Sequence, residues 1–441
     1  MRYVIIGAGA AGISAAETIR QADSSGEILI FTDEPFGFYS RPGLAYYLTG
    51  EIPESQLHPF PGTYFQNLNI NIWQASVTRL LPADHLIILS NGNRVKYDRL
   101  LIATGSTAIQ PEFPGVDLEG VVKLDNLSDA RQILKNIRKV KSAVVVGGGI
   151  TALEIVEGFH AHRVKIHFLL RRDRYWSSVL DEIESKIVLS RLKHDGINLH
   201  FNTEIAAIRG KNGKVGAVVT KDDQEIPCQM VAIAIGVRPN IDIARQANID
   251  VDRGILVDSF LQTSAPDVYA AGDVAQIYDP ITGKAHLDIL WGPARDEGRI
   301  AGLNMIGKAV RYKKSSSMNV TRLAGLTTTI IGKVSLGGDD DEDLITISRG
   351  DSEIWREIPD AIVAQENFDV NRIRLIVGEK TLLGAIVMGN QTLSSPIQRL
   401  IEDQVEITSI KDQLLQKNAD IGTVITAFWA ARREKLVSEE F

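Results

Sequence analysis

Three short segments of this chain contain residue types that suit nucleotide chemistry. Glycine-rich turns occupy residues 7–12 and 147–152, and each follows a short apolar segment. Ala271-Gly272-Asp273 comes later in the chain. Glycine lets a phosphate approach the backbone closely, and a carboxylate accepts hydrogen bonds from sugar hydroxyls. Two nucleotide turns in one chain indicate that one dinucleotide passes electrons to another.

The first turn has the spacing Gly-x-Gly-x-x-Gly. Gly7 permits the tight turn, Gly9 lets a diphosphate reach the backbone, and Gly12 lets helix and strand pack closely. The N-terminus of the following helix then stabilises the diphosphate through free N–H groups and the helix dipole. A glycine-rich turn without ligand is the alternative. The predicted residues are Gly7, Gly9, Ala10, Ala11 and Gly12.

The second turn has alanine where the first has its third glycine. It follows an apolar strand and precedes a helical segment, so it is predicted to be a second dinucleotide site. The predicted residues are Gly147, Gly149, Ile150, Thr151 and Ala152.

The ends of the next strands distinguish the two sites. Asp33 lies 21 residues beyond Gly12, where a carboxylate accepts from a ribose hydroxyl, and Glu34 is the neighbouring candidate. The second unit instead ends in Arg171 and Arg172. Guanidinium groups bind a 2′-phosphate that a carboxylate would repel, which favours NADPH over NADH. Surface ion pairs are the other interpretation of these arginines.

Two β-α-β units must position these turns. The first comprises strand 2–6, helix 13–22 and strand 27–31, and the second comprises strand 143–146, helix 152–160 and strand 164–170. Buried strands are also predicted at 97–104, 231–235 and 268–271, and helices at 180–194 and 293–305. The pattern predicts an α/β protein with two parallel sheets.

The remainder of the chain changes character. Residues 327–389 alternate β-branched strands with turns and are predicted to form a smaller α+β domain, after a linker at 313–317. The acidic run 339–343 is predicted to be a solvated hairpin loop, with a docking site as the alternative. Residues 395–435 are predicted to be an amphipathic helical tail, with Phe428 and Trp429 as core or subunit contacts.

Length, charge and cysteine content limit the function. The chain has 441 residues and a net charge of −7 spread along it, which argues for several domains and against nucleic acid as the main partner. No apolar run reaches the ~18 residues that span a bilayer, and the first strand leaves no room for a signal peptide. The expected location is the cytoplasm. With the single cysteine Cys228, an intramolecular disulfide is impossible, and we predict no metal site.

In combination, these segments resemble the FAD-dependent reductases of the pyridine nucleotide–disulfide oxidoreductase superfamily. The resemblance runs over about residues 1–310. It implies FAD at the first turn, NADPH or NADH at the second, and a glutathione reductase-like fold. It also implies an FAD domain in two parts, 1–115 and 250–315, around an NAD(P)H domain 116–249, with a C-terminal interface domain at 316–441. The segments that carry it are 7–12, 39–42, 97–98, 103–105, 147–152, 234–240 and 269–273.

The resemblance also implies residue roles. Asp273 binds the ribityl chain of FAD, 103–105 pass close to the flavin, and Val77 contacts the adenine. The helix opened by Pro293 directs its positive end at the flavin, and Glu157 faces the contact between nicotinamide and flavin; an exposed helix residue is the alternative for Glu157. The further cofactor-binding residues implied are Arg41, Pro42, Ala103, Thr104, Gly105, Gly236, Gly272, Trp291 and Ala294.

The departures from the superfamily are informative. No Cys-x-x-x-x-Cys is present, and no cysteine lies at 40–43, where single-cysteine relatives carry theirs. Cys228 precedes a predicted buried strand and is expected to be an inert thiol. Arg41-Pro42 therefore favours the cysteine-free branch, which resembles rubredoxin and ferredoxin reductases and the flavin part of assimilatory nitrite reductase. Tyr46 replaces the lysine that would pair with Glu157, and both are predicted to be catalytic.

The predicted reaction transfers hydride from the nicotinamide to FAD. Without a cysteine relay, electrons leave directly from the flavin, and a rubredoxin- or ferredoxin-type carrier fits best. An oxidase or quinone reductase, the flavin subunit of a larger complex, and a redox sensor are the alternatives. Nitrite reduction by this chain alone is disfavoured because it lacks the four cysteines of an iron–sulfur half. The interface domain and its apolar tail suggest a homodimer.

Overall fold

Two five-stranded parallel sheets organise most of the computed structural model, which describes residues 1–279, 284–313, 318–332, 334, 371–416 and 420–439. The first sheet has the strand order Val268–Ala270, Arg99–Ile102, Arg2–Ile6, Glu27–Thr32 and Ile70–Gln74, and the second has the order Asn198–His200, Lys165–Leu169, Ser142–Val146, Met230–Ile233 and Val121–Val122. The strands are β1 Arg2–Ile6, β2 Glu27–Thr32, β3 Ile70–Gln74, β4 Val77–Leu81, β5 Leu86–Leu89, β6 Arg94–Lys96, β7 Arg99–Ile102, β8 Ser106–Ala108, β9 Val121–Val122, β10 Ser142–Val146, β11 Lys165–Leu169, β12 Asn198–His200, β13 Ile205–Lys211, β14 Lys214–Thr220, β15 Glu225–Pro227, β16 Met230–Ile233, β17 Val237–Pro239, β18 Ile255–Val257, β19 Val268–Ala270, β20 Ala275–Asp279, β21 Lys284–Leu287, β22 Met318–Leu323, β23 Leu326–Gly332, β24 Arg372–Val377 and β25 Leu382–Met388.

Helices cover or connect these sheets. The helices are α1 Ala10–Ala22, α2 Leu44–Thr49, α3 Tyr64–Asn67, α4 Leu127–Ile137, α5 Ile150–Ala161, α6 Glu182–His194, α7 Asp242–Gln246, α8 Trp291–Met305, α9 Ser394–Glu402, α10 Thr408–Leu414 and α11 Ile421–Glu439. Short 3₁₀ helices occupy Glu54–Leu57 and Pro82–Asp84. Within the described part of the chain, no helix is long and apolar enough to cross a membrane.

The first sheet is buried because its central strands are apolar on both faces. Val4 and Ile5 of β1 are fully buried, as expected for a parallel sheet that is covered on each side. The register pairs Ile6 with Ile102 and Ile102 with Ala270. The residues that follow these three strands therefore lie side by side at the carboxyl edge, where ligands bind in such sheets.

Helices α1 and α8 cross at very short range beside this sheet. A Cβ atom at Gly298 would lie 2.1 Å from the Ala11 carbonyl oxygen, and one at Gly302 would lie 2.8 Å from that of Ala15. Only glycine fits at such a distance. The crossing packs the C-terminal helix of the predicted FAD region directly on the helix that follows the first turn.

The chain passes between the two parallel sheets twice, and the two passages pair with each other. Strands β8 and β17 are antiparallel, with Pro239 opposite Ser106 and Val237 opposite Ala108. The Asn240 side chain also donates to the Thr104 carbonyl oxygen at 2.8 Å. The connection between the sheets is therefore a hydrogen-bonded ribbon. The antiparallel sheets β4-β5-β6, β13-β14-β15 and the mixed sheet β18-β20-β21 are smaller additions.

The chain divides into two compact units. Residues 1–175 and 189–313 belong to the first, and residues 176–188 and the described residues from 318 onwards belong to the second. The second unit contains an antiparallel sheet of order β22-β23-β25-β24 whose core includes Ile331, Val387 and Leu400. Arg374 Nε of β24 lies 2.9 Å from a carboxylate oxygen of the fully buried Glu184.

The C-terminal part is more broken into short helices than the sequence predicts. The predicted helical tail over 395–435 is three helices, α9, α10 and α11, because Gln404 takes a positive φ of 49° and ends the first. Phe428 and Trp429 pack against the core of the second unit. The acidic run 339–343 lies outside the described residues, as do most of the predicted linker 313–317 and residues 335–370 of the predicted α+β region.

Candidate functional site

The first glycine turn lies at the carboxyl edge of the first sheet. Gly7 has a φ of +112°, and a Cβ atom there would lie 2.1 Å from the Ala103 carbonyl oxygen. A Cβ atom at Gly12 would lie 2.0 Å from the carbonyl oxygen of Gly7. At Gly9, in contrast, the described residues other than Gly9 and its chain neighbours leave the space within 4 Å of the Cβ position open. The turn thus has two positions that are closed to side chains, Gly7 and Gly12, and one open position between them, Gly9.

Helix α1 begins at this cradle. Gly9 precedes it and offers no side chain to cap it, so the N–H groups of Ala10 and Ala11 in the first turn suit an anion. These residues fit the diphosphate of a dinucleotide.

Asp33 and Glu34 follow β2 but have different surroundings. Asp33 is exposed. Glu34 is half-buried, accepts a hydrogen bond from the Tyr39 hydroxyl at 2.7 Å, and forms an ion pair with Arg41. Arg41 also donates to the Asp125 carbonyl oxygen at 2.5 Å. Burial raises the pKa of Tyr39, so it stays a donor. Asp33 is thus the carboxylate open to a ribose, whereas Glu34 holds the segment that contains Arg41.

Residues 103–106 bring the predicted flavin segment beside Asp273. Thr104 donates through its hydroxyl to the Asn240 carbonyl oxygen at 2.9 Å, and Gly105 has a φ of +65°. The Ser106 hydroxyl donates to Asp273 Oδ2 at 2.6 Å. Ser106 and Asn240 were not predicted as site residues, because nothing local in the sequence indicates contacts across more than 130 positions. Pro42 is buried, and Val77 is half-buried in β4.

Helix α8 starts close to Gly272. It begins at Trp291, two residues before the predicted Pro293, and within the described part of the chain no side chain caps its N-terminus. A Cβ atom at Gly272 would lie 3.7 Å from the Ala294 Cβ. The Trp291 ring lies 5.8 Å from that of Phe38. The α8 N-terminus, Asp273 and the first turn therefore line one region.

The second glycine turn repeats the construction of the first with one difference. A Cβ atom at Gly147 would lie 2.1 Å from the Ala234 carbonyl oxygen, whereas Gly149 has an open Cβ position. Ala152 is fully buried at the third position, and Ile150 is also fully buried. Thr151 is 8% exposed, and its hydroxyl has no hydrogen-bond partner among the residues that the structure describes. That hydroxyl at a helix N-terminus fits a bound phosphate.

Arginines follow the strand after this turn. Arg171 and Arg172 are exposed, and Arg174 lies 3.3 Å from the exposed Asp173. Gly236, which has a φ of +126°, accepts from the Ile109 N–H at 2.9 Å and lies where the chain leaves the second sheet.

Helix α2, which contains Tyr46, packs on helix α5, which contains Glu157. Leu48 Cβ would lie 3.0 Å from a Cβ atom at Gly158, and His162 Nε2 lies 3.0 Å from the Leu48 carbonyl oxygen. Tyr46 is 8% exposed.

The sequence did not indicate the surroundings of Glu157. Tyr175 is fully buried, and its pKa is raised well above 10, first by burial and then by Glu157 and Glu154. Glu154 lies one turn before Glu157, a spacing that places both carboxylates on one helix face.

Cys228 is the one cysteine and is fully buried. Burial raises the pKa of its thiol to about 12, so the expectation of an inert thiol is consistent with its surroundings.

Comparison with known proteins agrees with this geometry. Residues 1–289 match the pyridine nucleotide-disulphide oxidoreductase family. A rubredoxin-NAD(+) reductase of Ectopseudomonas oleovorans is 31% identical over 285 residues, which cover 64% of this chain and 74% of the relative. An NADH oxidase of Methanocaldococcus jannaschii is 32% identical over 343 residues, which cover 74% of this chain and 75% of the relative.

Solved structures share the fold. The ferredoxin reductase for the CYP199A2 system from Rhodopseudomonas palustris superposes with a TM-score of 0.81 at 23% identity, over 96% of this chain and 99% of that one. The predicted α/β fold with two dinucleotide-binding regions is confirmed. The chain belongs to the pyridine nucleotide-disulphide oxidoreductase family and is a flavoprotein oxidoreductase that uses FAD with NADH or NADPH.

Proposed function

We propose that this protein takes reducing equivalents from NADPH and delivers single electrons to a small carrier protein of the rubredoxin or ferredoxin type. The observation that carries the proposal is the presence of two dinucleotide cradles in one unit, together with a single cysteine that is fully buried. No thiol is available to relay electrons, so they must leave from the flavin itself.

The residues of the chain bind and orient the two nucleotides. Bound FAD supplies the chemistry, because it accepts a hydride and can release electrons one at a time. The first turn and Asp33 would hold the FAD diphosphate and ribose, Asp273 its ribityl chain, and Val77 its adenine. The second turn with Thr151 would hold the NADPH diphosphate. Holding both reactants in one geometry is the main catalytic contribution of such a protein.

Relatives support a carrier protein as acceptor. They include rubredoxin-NAD(+) reductases and a probable ferredoxin reductase of Castellaniella defragrans, which is 33% identical over 278 residues. A covalent putidaredoxin reductase–putidaredoxin complex has the same fold, with a TM-score of 0.80. A carrier would dock where the flavin edge is accessible.

The preference for NADPH rests on the arginines after β11. A guanidinium binds a 2′-phosphate through paired hydrogen bonds. An engineered NADPH-bound oxidase of this fold carries a glycine-to-alanine change and, 18 and 19 positions later, an aspartate-to-alanine and an alanine-to-arginine change. This chain has Ala152 and, at the same spacings, Leu170 and Arg171. The absence of a carboxylate and the presence of an arginine are thus shared with a protein that binds NADPH.

Anaerobic rapid mixing of the FAD-loaded protein with NADPH or NADH, at equal concentrations, tests the first half of the proposal. We expect fast bleaching of the flavin absorbance by NADPH and slower bleaching by NADH. Fast bleaching by NADH alone contradicts the role of the arginines, and no bleaching by either contradicts the reductase. Reduction of added rubredoxin and ferredoxin, followed by their own absorbance, then tests the acceptor.

A second candidate function is an NAD(P)H oxidase that reduces oxygen directly. The similarity to an NADH oxidase over 343 residues favours it. Oxygen consumption without any carrier, at a rate equal to that with carrier, would establish it in place of the carrier reductase. A quinone reductase is tested in the same assay with a soluble quinone, and co-purification of a partner would indicate the flavin subunit of a complex.

The remaining assignments are part of the same proposal. We assign residues 1–115 and 250–315 to FAD, 116–249 to NAD(P)H, and 316–441 to an interface domain. A homodimer through that domain is testable by sedimentation. The proposed location is the cytoplasm, where an NAD(P)H pool would supply the proposed reaction.

A further inference from the structure

Glu297 is a buried acid that the nucleotide motifs do not include. It lies on helix α8 and is 1% exposed. Its Oε2 accepts a hydrogen bond from the Gly272 N–H at 2.7 Å. The Tyr312 hydroxyl also donates to it. Two donors at one side chain are the arrangement that stabilises an ionised carboxylate inside a protein.

The position of this carboxylate is tightly constrained. Glu297 is followed by Gly298, where α8 approaches the Ala11 carbonyl oxygen so closely that no side chain fits. Gly272 has a φ of +79°, and a Cβ atom there would lie 3.0 Å from the Ala11 Cβ. Three elements therefore meet at Glu297: α8, the first turn of α1, and the residue before Asp273.

The segment that contains Tyr312 is also held by hydrogen bonds. Asn304 lies on α8, seven positions after Glu297. Its side chain donates to the carbonyl oxygens of Phe260 and Val310 and accepts from the Val310 N–H. These bonds hold the segment that leads to Tyr312. Burial and the nearby carboxylates Glu297, Asp288 and Asp296 raise the pKa of Tyr312, so its hydroxyl remains a donor.

We propose that the carboxylate of Glu297 is a positioning residue for FAD whose negative charge makes the bound FAD harder to reduce. This inference rests on the proposed placement of FAD beside Asp273. The charge lies one hydrogen bond from the Gly272 backbone and one helical turn from Ala294. A buried charge acts on its surroundings with little screening by salt. It disfavours the extra negative charge that FAD gains on reduction, and so opposes the positive N-terminus of α8.

The test compares Glu297→Gln with a matched neighbour. E297Q keeps an oxygen that accepts from Gly272 and removes the charge. Asp296→Asn removes a carboxylate from the adjacent position of the same helix, but Asp296 is exposed to solvent. Each full-length, FAD-loaded protein is reduced slowly with dithionite beside a redox dye, and the ratio of reduced to oxidised FAD is read at equal dye potential.

We expect that ratio to rise at least about threefold in E297Q and to change by less than about 1.5-fold in D296N, because solvent screens the exposed charge. FAD retained after gel filtration serves as the second readout and should match the wild type in both variants. An unchanged ratio in E297Q, an equal rise in D296N, or loss of FAD from E297Q overturns the assignment. Neither NAD(P)H nor a carrier takes part, so the reductase proposal stands or fails separately.

Discussion

The two glycine turns use one backbone design for two tasks. Gly7 and Gly147 are both closed to side chains by the carbonyl oxygen of the residue that follows a neighbouring strand, at 2.1 Å from the Cβ position. They differ at the third position: a Cβ atom at Gly12 would lie 2.0 Å from the Gly7 carbonyl oxygen, whereas the second turn accommodates the side chain of Ala152. The first turn is therefore packed more tightly. Backbone geometry is common to both, and we propose that the charges placed after the next strand distinguish their ligands.

The largest effect is expected from one methyl group added at a closed position of the first turn, compared with one added at its open position. Gly7→Ala should destabilise the protein by about 3 kcal/mol or more and abolish FAD binding, because its Cβ would overlap a main-chain oxygen at positive φ. Gly9→Ala is the matched control: its Cβ position is open and its φ is −80°, so the fold should persist. Thermal unfolding and flavin absorbance measure both. Equal stability of the two variants would contradict the packing argument.

A smaller effect is expected at the charges of the second turn. Removing both arginines in Arg171→Ala/Arg172→Ala should raise the KM for NADPH about 10- to 100-fold and leave kcat and the KM for NADH nearly unchanged. Steady-state kinetics with each nucleotide measure the split. Arg209→Ala is the control, because Arg209 is an exposed arginine of β13 that forms an ion pair with Glu225. An equal loss for NADH would contradict 2′-phosphate recognition.

The carboxylates that follow β2 should affect the binding of FAD and not the kinetics with NADPH. Glu34→Gln leaves Arg41 without its carboxylate partner, so we expect the Kd for FAD to rise about tenfold with no change in the KM for NADPH. Asp33→Asn should weaken FAD binding by a comparable factor through the ribose. Equilibrium dialysis of FAD distinguishes these from the arginine variants, and a change in NADPH kinetics alone would reverse the assignment of the two sites.

The smallest expected effect is on pH dependence. His167 Nδ1 lies 3.0 Å from His200 Nε2 in the second sheet, and burial lowers the pKa of both rings below 6.5. The unfolded chain then binds more protons, so stability falls as pH decreases below about 6.5. Beside the first sheet, the hydrogen bond from Tyr3 lowers the pKa of Asp23 from 3.8 to about 2. The contribution of this carboxylate to stability is lost only below about pH 4.

Urea unfolding at pH 7.5, 5.5 and 3 separates these two windows. His200→Gln should flatten the dependence between pH 7.5 and 5.5 and leave the decline near pH 3 in place. Tyr3→Phe should do the reverse. An unaltered profile in His200→Gln would show that the histidine pair does not contribute.

Much of the fold was predictable because its information is local. Each glycine turn lies between a buried strand and a helix, and the observed ends of β1, β10 and α5 differ from the predicted ones by two residues or fewer. The break of the C-terminal tail at Gln404 was missed because amphipathic periodicity continues across it. Glu297, Ser106 and Asn240 were missed because each acts through partners 15 to 167 positions away. Contacts of that range leave no periodic pattern in a sequence.

The order of strands in the first sheet also constrains how the protein is made. β19 pairs with β7, and α8 packs on α1, yet β19 begins more than 160 residues after β7 ends. At a synthesis rate of about 5–20 residues per second, the ribosome needs roughly 10–30 s to supply the missing strand. The whole second sheet emerges in that interval. The free edge of β7 therefore stays unpaired in the nascent chain until the second sheet and β19 have been synthesised. We expect a chaperone to bind the exposed edge during this period.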